Sequence, residues 1–260
     1  MAKRSSIMER LRAKDAFLIG TWAKIPSLET VELLGHVGFD FVVIDMEHAP
    51  HSFQTAGAAI AQAQSTGMAA LVRAPDRSSS ATQRLLDAGV DGILTPRVET
   101  PEIAAEVTAA MAFPPLGTRG MGYTSRAARW GLDSVDEYLD HGRNHILRGV
   151  QLEDLTALEN IEAILDKAPA LNAAFIGFGD LCMSSGLPAT HPTLKAAEEK
   201  VLAAARARGI PVGTAVQTPA QVVERRERGY AYVMVSADTT IFAQAARDLV
   251  VRTRDALLAN

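Results

Sequence analysis

Asp45, Glu47 and His48 place three groups able to hold or pass a proton within four positions of the segment FVVIDMEHAP. They follow an apolar run of β-branched and aromatic residues, the pattern of a buried strand that turns polar only where it ends. The pattern recurs along the chain. Arg73 closes LVR, Arg97 follows ILTP, Glu153 follows GVQL and Asp180 follows FIGFG. Two strand-end carboxylates, Glu153 and Asp180, can share a cation, and hard oxygen donors in so small a number suit Mg2+ or Mn2+, which keep positions open for water and substrate. In the other reading one carboxylate is a metal-free acid or base and the other caps a helix, since Asp180 precedes LCMSSG. His48 can act as a general base near neutrality or serve as a structural histidine bonded to backbone. Arg73 needs an anion, either a neighbouring carboxylate or charge developing on a substrate. Arg97 fits a salt bridge. Lys24, after GTWA, offers Schiff-base chemistry with a carbonyl substrate, but the IPS that follows it points to a solvated loop lysine. Cys182 is the single cysteine, expected as a small core residue.

Eight strand candidates must carry these groups: FLIGTW, FVVIDM, AALVRA, GILTPRV, GVQLE, AAFIGFG, PVGTAV and YVMVSA. Helical stretches separate most of them, among them SLETVELLGHVG with Ser27 placed as an N-cap and Gly38 where a helix ends. Such alternation over 260 residues predicts one closed (β/α)8 barrel spanning residues 1–260, with an open doubly wound sheet as the alternative. In a barrel the C-terminal strand ends converge on one face, so the polar groups above would meet there. The insertion from Pro114 to Asn144, rich in Gly and Arg, is expected to form part of an active-site loop or a subunit contact. Its GTRGMG is weak evidence for a nucleotide. A formal charge of -4 gives no electrostatic case for nucleic acid or anionic membrane. No apolar h-region follows the basic N-terminus, and no apolar run is long enough to span a bilayer. With one cysteine and no disulfide framework, a cytoplasmic setting is expected.

IDMEHAPHS, LVRAP, LLDAGVDGILTPRVE, PPLGTRGMG, VQLED and FIGFGDL, in that order and spread over most of the chain, resemble the HpcH/HpaI aldolase family. GFGD stands where relatives often carry GPAD. The resemblance implies a metal-dependent class II pyruvate aldolase that reversibly cleaves a 4-hydroxy-2-oxo acid to pyruvate and an aldehyde through a metal-stabilised enolate. It implies Glu153 and Asp180 as ligands of Mg2+, Mn2+ or Co2+, Arg73 on the keto oxygen, Gln151 beside the metal, and backbone near Gly179 against the pyruvate. It further implies His48 in proton transfer, Asp87 as its partner, and a homohexamer. Asp45 and Glu47 are then expected to orient His48 or water from behind. Because Asp87 precedes the fourth strand, it belongs toward the opposite end of the barrel, so a neighbouring subunit is expected to deliver it. The alternatives are a related metal-dependent 2-oxo acid lyase or decarboxylase, a Schiff-base aldolase using Lys24, and a barrel that only binds a small acid.

Overall fold

The computed structural model describes residues 5–259. Eight parallel strands, β1 (Leu18–Ala23), β2 (Phe41–Asp45), β3 (Ala69–Arg73), β4 (Gly92–Thr95), β5 (Leu147–Leu152), β6 (Ala173–Ile176), β7 (Val212–Val216) and β8 (Tyr232–Ala237), pair in sequence order and close into a barrel. Twelve α-helices are found among the described residues: α1 (Ile7–Arg12), α2 (Leu28–His36), α3 (Phe53–Ser65), α4 (Ser79–Asp87), α5 (Pro101–Ala109), α6 (Val135–Asn144), α7 (Leu155–Glu159), α8 (Ile161–Lys167), α9 (Phe178–Ser185), α10 (Pro192–Ala207), α11 (Pro219–Glu227) and α12 (Asp238–Leu258). Ser27 caps α2 by accepting from the Thr30 amide, and Gly38 takes φ +100° just beyond its end, as the sequence predicts. None of the helices is long and apolar enough to cross a membrane.

Side-chain alternation along the strands decides which residues face the barrel axis. In β2, Phe41 and Val43 join the interior cluster that also holds Trp22, Leu71, Leu147, Phe175 and Tyr232, while Val42 and Ile44 pack outward under the helices. The inward row therefore runs through odd-numbered positions on β2, β3, β5 and β6. Continued to the strand ends, that row reaches Asp45, Arg73, Gln151 and Glu153. Helix α1 closes the other end, where Ile7, Met8 and Leu11 belong to the same interior cluster. The barrel interior is thus closed below by α1, and its inward row turns polar above, on the face where barrel enzymes place their chemistry.

Three features differ from expectation. The stretch LTALENIEAILDK, whose apolar spacing reads as one continuous helix, is two, α7 and α8, meeting at Asn160. The 114–144 insertion lies between α5 and β5, where strands begin, so it is not a loop over its own subunit's strand C-termini. It contains a short 3-10 segment (Arg126–Gly131) and α6, anchored by Arg126 Nη1 donating to the Ala88 carbonyl at 3.1 Å and by Phe113 edge-on to Tyr138. Finally, α12 is absent from the sequence reading, and no residue of it beyond Asp238 is buried. Phe242, Leu249, Val250, Leu257 and Leu258 lie open along it.

Candidate active site

Asp45 and Arg73 are in-register partners across β2 and β3. Their side chains point inward together, and the guanidinium grips the carboxylate in a two-pronged pair: Nε to Oδ1 at 2.9 Å and Nη2 to Oδ2 at 2.6 Å. Lys24 Nζ donates to the same Oδ2 at 2.6 Å, and the amides of Glu47 and His48 donate to Oδ1 at 3.1 Å each. Asp45 is 0% exposed. Burial raises its pKa, but Arg73, then Lys24 and the His48 amide, outweigh that and hold the carboxyl well below its usual range. Asp45 is therefore a permanent anion that fixes Arg73, Lys24 and the backbone carrying His48. Its contact with His48 is through the backbone amide and not the ring. Lys24 is not a solvated loop lysine. Asp238, buried just past β8, accepts from the amides of Lys24 and Ile25 and so pins the end of β1. Trp22 lies under Arg73, its ring centroid 4.5 Å from the guanidinium carbon, a stacking contact that favours arginine over lysine.

Glu153 faces a different environment. Its Oε2 accepts from the Arg97 amide at 3.1 Å and its Oε1 from Gln151 Nε2 at 2.9 Å. Arg97 adopts φ +55°, unusual for a residue with a side chain, and this turns its N–H into the site. Gly177 leaves the space the carboxylate occupies, since a Cβ there would stand 2.7 Å from Glu153 Cγ. Burial, followed by the nearby Asp180 and Glu47 charges, pushes the Glu153 pKa up to about 7 against the lowering effect of the Arg97 amide and Arg73. Gln151 Oε1 is buried with no hydrogen-bond partner.

Asp180, exposed, sits in the first turn of α9, two residues inside it, so it is not the helix cap; Gly177 holds that position. It lines a cavity of about 250 Å³ together with Glu47, His48, Arg97, Glu99, Glu153 and Ser184. Glu47 bridges the two halves of the site, 3.4 Å from Arg73 Nη1 and 3.1 Å from Arg97 Nη2. The His48 ring is half exposed, with Nε2 3.7 Å from Glu47 Oε2. Gly179 lies beside Asp180 with nothing within 4 Å of where a side chain would begin. Cys182 is half-buried against the core rather than within it.

Asp87 is not brought to His48 within the chain. It ends α4, accepts from Gln83 Nε2 at 2.8 Å and lies 3.8 Å from Arg119 Nη2. Arg119 is itself stacked on Phe113 and Tyr138.

The donors fit a divalent cation. A carboxylate whose proton affinity is raised by burial and then by its acidic neighbours, a second carboxylate on the same cavity and an orphaned amide oxygen make a hard, electron-rich corner. Among the described residues no group of three or more His, Cys, Asp or Glu side chains surrounds one point.

The sequence profile of the HpcH/HpaI aldolase/citrate lyase family matches residues 18–245. The 2-dehydro-3,6-dideoxy-6-sulfogluconate aldolase of Pseudomonas putida is 34% identical over 90% of this chain and 91% of its own. The 2-keto-3-deoxy-L-rhamnonate aldolase of Klebsiella pneumoniae is also 34% identical, covering 87% of this chain and 85% of the relative. Among solved structures, an HpcH/HpaI aldolase/citrate lyase family protein from Burkholderia cenocepacia superposes with a TM-score of 0.87 at 32% identity, over 95% of this chain and 98% of that one.

Proposed function

The chain belongs to the HpcH/HpaI aldolase/citrate lyase family and is a metal-dependent, pyruvate-type aldolase, and from that premise we propose how its residues divide the work. The reaction is reversible cleavage of a 4-hydroxy-2-oxo acid to pyruvate and an aldehyde. Glu153 and Asp180 hold the cation, Mg2+ or Mn2+ by donor type, with Co2+ able to substitute. When bound, the cation supplies Lewis-acid polarisation of the 2-oxo group. One observation carries this reading above the others: a buried, proton-avid Glu153 shares the strand-end cavity with Asp180, directly beside the Asp45–Arg73 pair.

Arg73 has Nε and one Nη2 donor spent on Asp45, which leaves Nη1 toward Glu47 and the cavity as the donor for negative charge growing on the keto oxygen. That donor is fixed before substrate arrives, which makes it effective. Gln151 turns its unpaired oxygen to the cation's shell, and the backbone at Gly179 borders the pyruvate carboxylate. His48 takes the C4-hydroxyl proton as the C3–C4 bond breaks, and a proton then returns to C3 to complete pyruvate.

Asp87 of a neighbouring subunit orients His48, which makes the working enzyme a homo-oligomer, a hexamer by family resemblance, acting in the cytoplasm. The exposed apolar side of α12 supports assembly, because so long an open stripe is costly in water.

Chelation tests the reading. EDTA should abolish pyruvate release from a 4-hydroxy-2-oxo acid, Mn2+ or Mg2+ should restore it, and borohydride with pyruvate should leave Lys24 unmodified. Activity that persists in EDTA with borohydride trapping would overturn it in favour of Schiff-base chemistry at Lys24.

A further inference from the structure

A cavity larger than the carboxylate mouth lies elsewhere on the described residues. It encloses about 680 Å³ at the face where the strands begin, between α1, α8, the end of α10 and the turns leading into β7 and β8. Its floor is apolar, built by Met8, Leu11, Leu165, Leu171, Leu202 and Ile210. Its charged groups are all cationic, Arg12, Arg206 and Arg208, and no Asp or Glu lines it. That is a selective placement in a chain with 30 acidic and 26 basic residues.

The positive charge is not neutralised from within. Arg208 is the exception, with Nη2 donating to Asp166 Oδ1 at 2.6 Å. Arg206 lies on the last turn of α10, and among the described residues its guanidinium meets no carboxylate and no hydrogen-bond acceptor. It rests over Gly229, where a Cβ would stand 2.5 Å from its Nη2, so glycine there makes room for it. Arg12 reaches only the Asn144 carbonyl, at 3.4 Å. Nearby, Arg148 is buried and donates to the carbonyls of Ala170, Gly142 and Arg143, with no carboxylate partner. Burial, followed by the charges of Arg12 and Arg119, pushes its pKa down to about 10. Arg12 acts unfavourably on the buried Arg148, and Arg12 and Arg206 stand exposed at the cleft without a carboxylate partner, so uncompensated positive charge collects there at a cost. An oxyanion entering the cleft would remove that cost and gain charge-assisted bonds in the fork geometry arginine offers.

We propose that this cleft binds a small amphipathic organic anion, a carboxylate with a short apolar body, at a site separate from the reaction centre. The carboxylate meets Arg206 and Arg12, and the apolar body lies on the Leu11–Leu171–Ile210 floor. Barrel enzymes do their chemistry at the other face, so the occupant is a stabilising effector and is not turned over.

Calorimetric titration and thermal melts of the metal-loaded protein test this with three probes: hexanoate, inorganic phosphate and hexan-1-ol. Hexanoate should saturate one site per subunit and raise Tm, phosphate should bind at least about tenfold more weakly for want of an apolar body, and hexan-1-ol should not saturate. Arg206→Ala should weaken hexanoate by at least about tenfold, and Arg206→Lys by less, because a lone ammonium keeps the charge but loses the fork. Both variants lie on an exposed helix end and should release pyruvate from substrate at the wild-type rate. The proposal is overturned if hexanoate does not bind, if hexan-1-ol or phosphate binds as well as hexanoate, or if Arg206→Ala leaves hexanoate affinity unchanged, which would place the anion at the metal site.

Discussion

Replacing Glu153 with Gln should make the metal-stripped protein more stable at alkaline pH while removing its activity. The carboxyl has an ordinary pKa of 4.5 and about 7 in the fold. A folded state that holds its proton more tightly than the unfolded chain loses stability as pH rises from the unfolded value through the folded one. In the metal-free protein, Glu153 therefore costs nothing below about pH 4 and its full penalty above about pH 8. At about 1.4 kcal/mol per pH unit, the interval from 4.5 to about 7 amounts to roughly 3 kcal/mol. Glu153 is 8% exposed, so solvent screening takes little from that figure. The amide introduced by Glu153→Gln cannot ionise. It keeps one acceptor oxygen for the Arg97 amide, and a rotated Gln151 amide can accept from its new NH2 group, so both bonds survive in neutral form and the weakening costs about 1 kcal/mol. The net expectation at pH 8 is a gain of roughly 2 kcal/mol. Urea melts in EDTA at fixed protein concentration, run at pH 5, 6, 7 and 8, measure it directly. Wild type should weaken across that series relative to the variant, and saturating Mn2+ should reverse the order by stabilising wild type alone. Parallel pH profiles for the two proteins in EDTA would refute the reasoning, because Glu153 would then be an ordinary carboxylate.

Three further outcomes follow from the geometry. Arg73→Lys should lower kcat/KM by roughly 3 kcal/mol, some two orders of magnitude, since a lysine keeps the charge beside Asp45 but cannot bond both its oxygens and still face the cavity; steady-state kinetics with the Mn2+-loaded enzyme reads it, and a loss under about fivefold would remove Arg73 from the reaction. Gly177→Ala should weaken Mn2+ binding by about tenfold or more while changing Tm little, because its Cβ displaces the Glu153 side chain and not the core; calorimetric metal titration decides, and an unchanged Kd would mean the carboxylate has room to spare. Mixing His48→Ala with Asp87→Ala under conditions that exchange subunits should restore activity that neither variant has alone, since mixed assemblies contain some sites with both groups intact; mixtures as inactive as their parents would count against a shared site.

The barrel is legible because parallel strands covered on both faces read as largely apolar runs, and some of these runs end where a charged residue appears. FVVID and AALVR show this well: the observed strands stop at Asp45 and Arg73, the first charged residues. Pairings are not legible, because they depend on register and closure. Nothing in GTWAKIPS says that Lys24 will reach Asp45, 21 residues on, since that contact exists only once β1 and β2 lie side by side. The helix-cap reading of Asp180 fails by three residues, Gly177 being the cap of an α9 that begins at Phe178. Asp238 carries the same signal as the others, a carboxylate directly after a strand, but its partners are backbone amides, which no side-chain pattern announces. No local pattern distinguishes α12, whose apolar residues, Phe242, Leu249 and Leu257 among them, stay exposed in the fold.

The two buried carboxylates divide the site by opposite means, and that division explains why both are needed. Asp45 is surrounded by two cations and two amides, so protonation and metal alike have little left to gain there. It therefore serves as a rigid anchor for Arg73. Glu153 receives only a backbone amide and a glutamine amide, with further acids close by, so it retains affinity for positive charge that the chain itself does not satisfy. Exchanging these environments would put the cation on the inward arginine's own partner and leave the keto-oxygen donor unanchored. A carboxylate pair with its proton affinities pushed apart, one spent on Arg73 and one still available, is what the proposed division of the site requires, with the arginine and the metal side by side and neither cancelling the other.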